Sequence, residues 1–190
     1  WPFMQVDVEE YVKTCVKCQM NKHSTQPKVG KLLPLPIPKV PFQSISMDFM
    51  TGFPESDGSD AIMVIVCRFS KWATFVPTKK HVTAVEVADL FYNHWVRYNG
   101  FPWDVVSDRG VVFQSVFWQH IMRKTGVQIT MTTAWHPEGD GQTERINSIL
   151  NMYMRSFCEG DQLSWPQTLP LAELCYNTTP TVSHGQTPFF

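Results

Sequence analysis

FQSISMDFMTGFPESDGSDAIMVIVC, residues 42–67, decides the fold. Within Phe42–Phe53, Ile45, Met47 and Phe49 alternate with Ser44, Ser46 and Asp48, the period of a strand with one apolar face. Glu55–Asp60 is a polar turn with Asp57-Gly58 at its centre, a strong hairpin signal. Ala61–Cys67 is unbroken apolar sequence, which suits a strand covered on both faces. Such a strand needs helices on both sides of its sheet, and that points to an α/β layer architecture.

The flanking sequence supplies the remaining layers. Trp72–Val76 reads as a third strand, stopped by Pro77. Thr83-Ala-Val-Glu86 has the spacing of a capping box, and Ala84, Val87, Ala88, Phe91 and Trp95 form the apolar stripe of the helix it opens. Asn99-Gly100 closes that helix. Trp103–Ser107 is a short strand that ends at Asp108, Phe113–Lys124 a helix closed by Gly126, and Val127–Met131 a fifth strand. A loop, Thr132–Gly141, carries Pro137, Gly139 and Gly141 before a helix from Gln142 to Phe157. Ser164 is placed to cap a last helix with Pro166 near its first position, and Pro170 is expected to kink that helix or delay its start. The order β-β-β-α-β-α-β-α-α predicts a five-stranded mixed sheet flanked by helices, with residues 42–190 as one globular unit.

Composition agrees with this organisation. Of the 190 residues 43% are apolar and 13% aromatic, enough to form a core and exclude wholesale disorder. No run approaches 18 apolar residues, so no membrane span is expected. Trp1–Glu10 lacks the basic and apolar regions of a secretory leader. Five cysteines, an odd number, fit a reducing compartment better than a disulfide scaffold. The net charge is −1, unlike a strongly basic nucleic-acid binder, but it is unevenly distributed. Residues 1–40 hold six lysines against Asp7, Glu9 and Glu10, whereas residues 41–190 hold ten basic and fourteen acidic groups. Residues 25–41 contain five prolines and read as an extended linker. Residues 1–24, with a rough stripe of Val6, Val8, Val12 and Val16, form a helical segment ahead of it.

Three carboxylates stand out. Asp48 falls on the polar parity of the first strand. Asp108 sits at the carboxyl end of the fourth, where α/β sheets place their ligands. Glu144 opens the helix after Gly141. On that helix Ile146, Ile149, Leu150, Tyr153 and Phe157 form the buried stripe, opposite Glu144, Asn147, Ser148, Asn151 and Arg155. From position alone these acids read equally as a strand-edge polar residue, a turn former and a first-turn acid favoured by the helix dipole. If the first and fourth strands are neighbours, the acids converge. They then repel unless hard divalent cations bind them, and two Mg²⁺ ions roughly 4 Å apart suit phosphoryl transfer.

Ser107-Asp108-Arg109-Gly110, Phe117-Trp118, His136-Pro137 and Asp140-Gly141-Gln142-Thr143-Glu144-Arg145 with Asn147 occur in that order. Leu169-Pro-Leu-Ala-Glu173, Tyr176-Asn177-Thr178 and Gln186-Thr-Pro-Phe189 follow. Together they resemble the integrases of gypsy-type LTR retrotransposons, relatives of retroviral integrases, over nearly the whole chain. Asp108 and Glu144 are separated by 35 residues, the family's spacing.

The resemblance implies an RNase H-like catalytic core and a DDE-type polynucleotidyl transferase and endonuclease. Asp48, Asp108 and Glu144 are its implied triad, binding two Mg²⁺ or Mn²⁺ ions. The implied function is 3′-end processing followed by strand transfer of element cDNA into target DNA, by a homo-oligomer in the nucleus after cytoplasmic assembly. His136, Gln142, Arg145, Asn147, Ser148 and Asn151 are the implied DNA contacts. A host-captured, integrase-derived DNA- or protein-binding domain and an RNase H-like nuclease are the alternatives. At the start of the chain the resemblance implies the carboxyl-terminal part of a His-His-Cys-Cys zinc-binding module, with Cys15 and Cys18 as ligands of an incomplete Zn²⁺ site. Two structural thiols, or another zinc arrangement that includes His23, are the other readings of that pair.

Overall fold

The structure is a computed structural model that describes residues 1–17, 38–107, 111–131, 141–158, 160–181 and 185–189. α1 (Met4–Thr14) has no buried residue, and its valines are exposed along with Trp1, Phe3 and Tyr11. The expected linker lies largely outside the described residues.

β1 (Ser44–Ser56) and β2 (Ser59–Cys67) form an antiparallel hairpin. Asp57 and Gly58 both have positive φ, 49° and 72°, as the tight hairpin turn requires. β3 (Ala73–Thr78) pairs antiparallel with β2, and β4 (Asp104–Ser107) and β5 (Gln128–Met131) add parallel strands on the other side. The sheet order is β3-β2-β1-β4-β5, the mixed five-stranded sheet expected from the sequence.

Pro77 does not stop β3 but lies inside it, opposite Ile62. β3 is an edge strand, and a proline is tolerated where its missing N–H would face away from the neighbouring strand.

β2 explains its own composition. Met63, Ile65 and Cys67 enter one core, Ile62, Val64 and Val66 the other, and all six are fully buried. The first core is covered by α2 (Ala84–Phe91), α3 (Val111–Gln114) and α4 (Val116–Thr125), which contribute Val87, Phe91, Phe113, Trp118 and Met122. The second is covered by α5 (Gly141–Phe157) and α6 (Trp165–Thr178), through Ile146, Leu150, Met154, Trp165, Leu169, Ala172 and Tyr176.

The capping box of α2 is present. Thr83 Oγ1 accepts from the Glu86 amide at 3.3 Å, and Glu86 Oε2 accepts from the Thr83 amide at 2.8 Å. The Thr83 amide and hydroxyl, both donating to the carboxylate, hold Glu86 below its ordinary range, so this acid is occupied as a cap. After Phe91 the helix widens into a π turn, Tyr92–Val96, and finishes with Arg97–Asn99 before Gly100 at φ 76°.

Three local expectations differ from the structure. Phe113–Lys124 is not one helix, because Ser115 interrupts it and caps α4 by accepting from the Trp118 amide at 3.2 Å. Met154, rather than Phe157, completes the buried stripe of α5, and Phe157 is exposed near the helix end. Ser164 makes no side-chain cap. Asp161 instead caps a 3-10 turn, Gln162–Ser164, and α6 runs through Pro170. Pro170 has no N–H to bond back to Pro166, so α6 forgoes that intrahelical hydrogen bond.

Candidate active site

Asp48 lies in β1, the central strand of the sheet, opposite Val64 of β2 and one residue past the pairing with β4. Its even parity sets it on the face of Met50, Val64 and α5. That face is an apolar core rather than the polar side expected from the alternation of β1 alone. The half-buried carboxylate is held at both oxygens: Oδ1 accepts from the Phe49 amide at 2.8 Å, and Oδ2 accepts from Asn147 Nδ2 at 2.6 Å. The Phe49 amide and the Asn147 amide group orient the carboxylate, whose two oxygens can each accept more than one hydrogen bond.

Asn147 reaches Asp48 because α5 seats Ile146 and Leu150 in the core on either side of it. Its own Oδ1 is buried and has no hydrogen-bond partner among the described residues. An orphaned acceptor beside an ordered carboxylate is costly in a plain core. It fits a site that receives water donors or a hydrated cation, and the donor set is hard oxygen, as Mg²⁺ prefers.

β1 and β4 pair in parallel register, Ser44 opposite Asp104 through Met47 opposite Ser107. The last paired residues therefore immediately precede Asp48 and Asp108, and the condition for their convergence, that these two strands are neighbours, is met. Asp108 itself, His136 and Cys18 lie outside the described residues, as do the side chains of Gln142 and Glu144. The backbone of Glu144 belongs to the first turn of α5, one helical turn before Asn147. Among the described residues, no three His, Cys, Asp or Glu side chains gather as a metal site.

The other sequence-selected residues separate. Ser148 is half-buried, whereas Arg145 and Asn151 are exposed. Burial pushes the Tyr176 phenol up, and the Arg145 charge partly offsets that shift. Asn147, expected on a solvent-facing stripe, instead serves Asp48. Cys15 follows α1, with its amide donating to Tyr11 O at 2.9 Å. Ser44, Arg68 and Asp104 form a polar knot at the start of β1 and β4. In it Arg68 Nη1 donates to Ser44 Oγ at 2.9 Å, and Ser44 Oγ donates to Asp104 Oδ2 at 2.7 Å.

Residues 1–24 match the family model of the integrase zinc binding domain. Over 189 residues, all of this chain, the sequence is 34% identical to the Tf2-3 and Tf2-4 transposon polyproteins of Schizosaccharomyces pombe. The chain spans 14% of the length of those polyproteins. Among solved structures, a chain of the simian T-cell lymphotropic virus intasome in complex with PP2A regulatory subunit B56 gamma matches with a TM-score of 0.70 at 19% identity. That match covers 98% of this chain and 66% of the other. The HTLV-2 integrase catalytic core domain in complex with magnesium, in its dimeric form, matches at 0.63 and 19% identity, covering 80% of this chain and 96% of the other. The fold is that of a retroviral integrase catalytic core. The BIV integrase catalytic core agrees, at TM-score 0.61 and 20% identity over 78% of this chain and 91% of the other. The resemblance to integrases of gypsy-type elements is thus borne out in sequence and in fold. In this integrase-like core no helix among the described residues is long and apolar enough to cross a membrane.

Proposed function

We propose that this chain is the catalytic core of a retroelement integrase, preceded by the end of its zinc-binding module. The observation that carries the reading is the placement of Asp48: central in the sheet, fixed at both oxygens, and reached by Asn147 from one turn beyond Glu144. The β1–β4 register supports Asp108 as its neighbour. Whole-chain identity to the transposon polyproteins supports the same assignment.

The proposed chemistry is two phosphoryl transfers at one site. In the first, a water oxygen attacks a phosphodiester near the 3′ end of the element's DNA, and the 3′ oxygen it frees leaves as a hydroxyl. In the second, that 3′ hydroxyl attacks a phosphodiester of target DNA and displaces the target's 3′ oxygen. Asp48, Asp108 and Glu144 would hold two Mg²⁺ or Mn²⁺ ions, which, when bound, neutralise phosphate charge and lower the pKa of the attacking oxygen. Asp48 is kept in one rotamer by Phe49 and Asn147. Asn151, Ser148 and Arg145 lie along α5, and polar side chains there suit phosphate contacts. The partners in this reading are element ends, target DNA and further copies of the chain, and the compartment is the nucleus. Cys15 and Cys18 are assigned to the zinc module.

The test is divalent-metal-dependent joining on oligonucleotides that match candidate element ends. Asp48→Asn, Asp108→Asn and Glu144→Gln are each expected to abolish cleavage and joining while the fold and melting temperature persist. Near wild-type joining by any one of the three removes that residue from the assignment. If the wild-type chain hydrolyses RNA–DNA hybrids but joins no ends, the nuclease alternative replaces this reading.

A further inference from the structure

Away from Asp48, at the outer edge of β3, a cleft of about 500 Å³ opens between β3, the end of the α2 helix and α6. Its chemistry is one-sided. Glu173 is the one carboxylate among the residues that line it, and burial lowers the His94 pKa, disfavouring its charged form. Glu173 is half-buried, and its Oε2 accepts from the Phe75 amide at 2.8 Å. Among the described residues no basic side chain pairs with it.

The strand edge adds further acceptors. Ala73 exposes both its N–H and its C=O away from β2, since Asn177 bonds both, at 3.0 and 2.8 Å. In an antiparallel ladder that outward set recurs every second residue, so the carbonyls of Phe75 and Pro77 face the same way, into the cleft they line. Pro77 has no N–H to offer. Aromatic walls complete the cleft: Trp72 lines one side, and Tyr98 stands at the rim with the chain's own Arg97 guanidinium 5.7 Å above its ring.

We infer that this cleft is a docking site for an arginine side chain presented by a partner protein. A carboxylate and two outward carbonyls ask for several donors from one group, and a planar guanidinium supplies five. Being weakly hydrated, a guanidinium also stacks on aromatic rings, and Trp72, packed T-shaped on Phe189 at 4.9 Å, lines the cleft. The compact lysine ammonium fits less well, because it is strongly hydrated and has no plane to stack. Phosphate is disfavoured by the negative charge and by the scarcity of donors, which separates this surface from the proposed DNA-binding face. The inference does not depend on the integration reading.

The experiment titrates the full chain with the peptide N-acetyl-Gly-Ala-Arg-Ala-Gly-amide by calorimetry, alongside its citrulline and lysine counterparts. Citrulline keeps the shape of arginine and loses the charge. The expected result is arginine-peptide binding at least tenfold tighter than that of the citrulline peptide, with the lysine peptide in between. Glu173→Gln keeps an acceptor for the Phe75 amide and is expected to weaken the arginine peptide at least tenfold with no loss of thermal stability. Trp72→Leu is the second variant and is expected to weaken it severalfold. Equal affinity for arginine and citrulline, or arginine binding unchanged in Glu173→Gln, overturns the inference. So does the absence of binding at concentrations where sedimentation shows monomer. Self-association that buries the cleft and excludes the peptide also overturns it, making a second copy the occupant.

Discussion

Asn147 donates from α5 to Asp48 in β1 across 99 residues of sequence, at 2.6 Å. The contact ties the helix that carries Glu144 to the strand that carries Asp48, so it fixes the mutual position of two proposed ligands. Asn147→Ala removes the donor that α5 supplies to Asp48 Oδ2 and loosens the carboxylate on that side. Losing an outer partner of a metal ligand typically costs about 10–100-fold in metal affinity or activity. Mn²⁺ affinity by calorimetry is expected to fall within that range, with joining falling in parallel, and Asn147→Gln is expected to recover part of both. Unchanged Mn²⁺ affinity in the alanine variant would show that Asn147 does not position Asp48.

That contact also marks where the sequence stops being legible. The hairpin turn at Asp57-Gly58, the doubly buried β2 and the capping box at Thr83 could all be read in advance, because each is decided within a few residues. Element order left the β1–β4 pairing open, because it does not say which strands lie side by side, and the parallel register supplies it. Periodicity put Asn147 on the outer face of α5. Asp48 recruits it inward, and a pattern of apolar residues carries no information about a polar partner in another element. Ser115 was lost inside an apolar-periodic stretch, although a serine three residues ahead of an amide it can cap was a usable signal. Pro77 reads as a strand stop in the sequence because edge and centre strands cannot be told apart before the topology is known. Glu173 and Asn177 were noticed only as part of a family-like stretch. Their i, i+4 spacing on a helix with an apolar face was the physical clue that they serve something buried.

Asn177 closes the outer edge of β3. It is 1% exposed and satisfies both polar groups of Ala73, as a sixth strand would. Asn177→Ala removes two hydrogen bonds and leaves a buried N–H and C=O without partners. The expected loss is about 2–4 kcal/mol, from two bonds of ~1 kcal/mol each plus the desolvation left uncompensated. Urea denaturation of the variant measures it, and a loss under ~1 kcal/mol would mean that water replaces the amide at this edge.

Glu173 makes stability depend on pH in a defined direction. Burial raises its pKa above the ordinary 4.5, and this outweighs the lowering by the Phe75 amide. An acid with a raised folded-state pKa favours the folded state most when protonated. That contribution is complete below pH 4.5 and is lost as pH rises through the folded-state value. Glu173→Gln stays neutral throughout. Its stability relative to the parent chain should therefore rise from acid to neutral pH, and matched denaturation curves at pH 4 and pH 7 give the comparison. A stability difference that is the same at both values would show that Glu173 titrates alike in the folded and unfolded chains.

Asn151 tests the face along which DNA is proposed to run. It is exposed on α5, one turn beyond Asn147 on the Glu144 side of the helix, and touches neither core. Asn151→Glu adds a negative charge without disturbing packing, so the melting temperature should change little. If DNA phosphates pass close by, the new charge repels them and end binding weakens by several fold at low salt. Screening shortens to about 8 Å at 0.15 M ionic strength, so the gap between variant and parent should narrow as salt is raised. Affinity for an element-end duplex, measured across a salt series, separates the cases. A gap that narrows with salt places phosphate near Asn151, whereas equal affinities at every salt concentration would take this face out of the DNA path and leave α5 as a carrier of Glu144 and Asn147 alone.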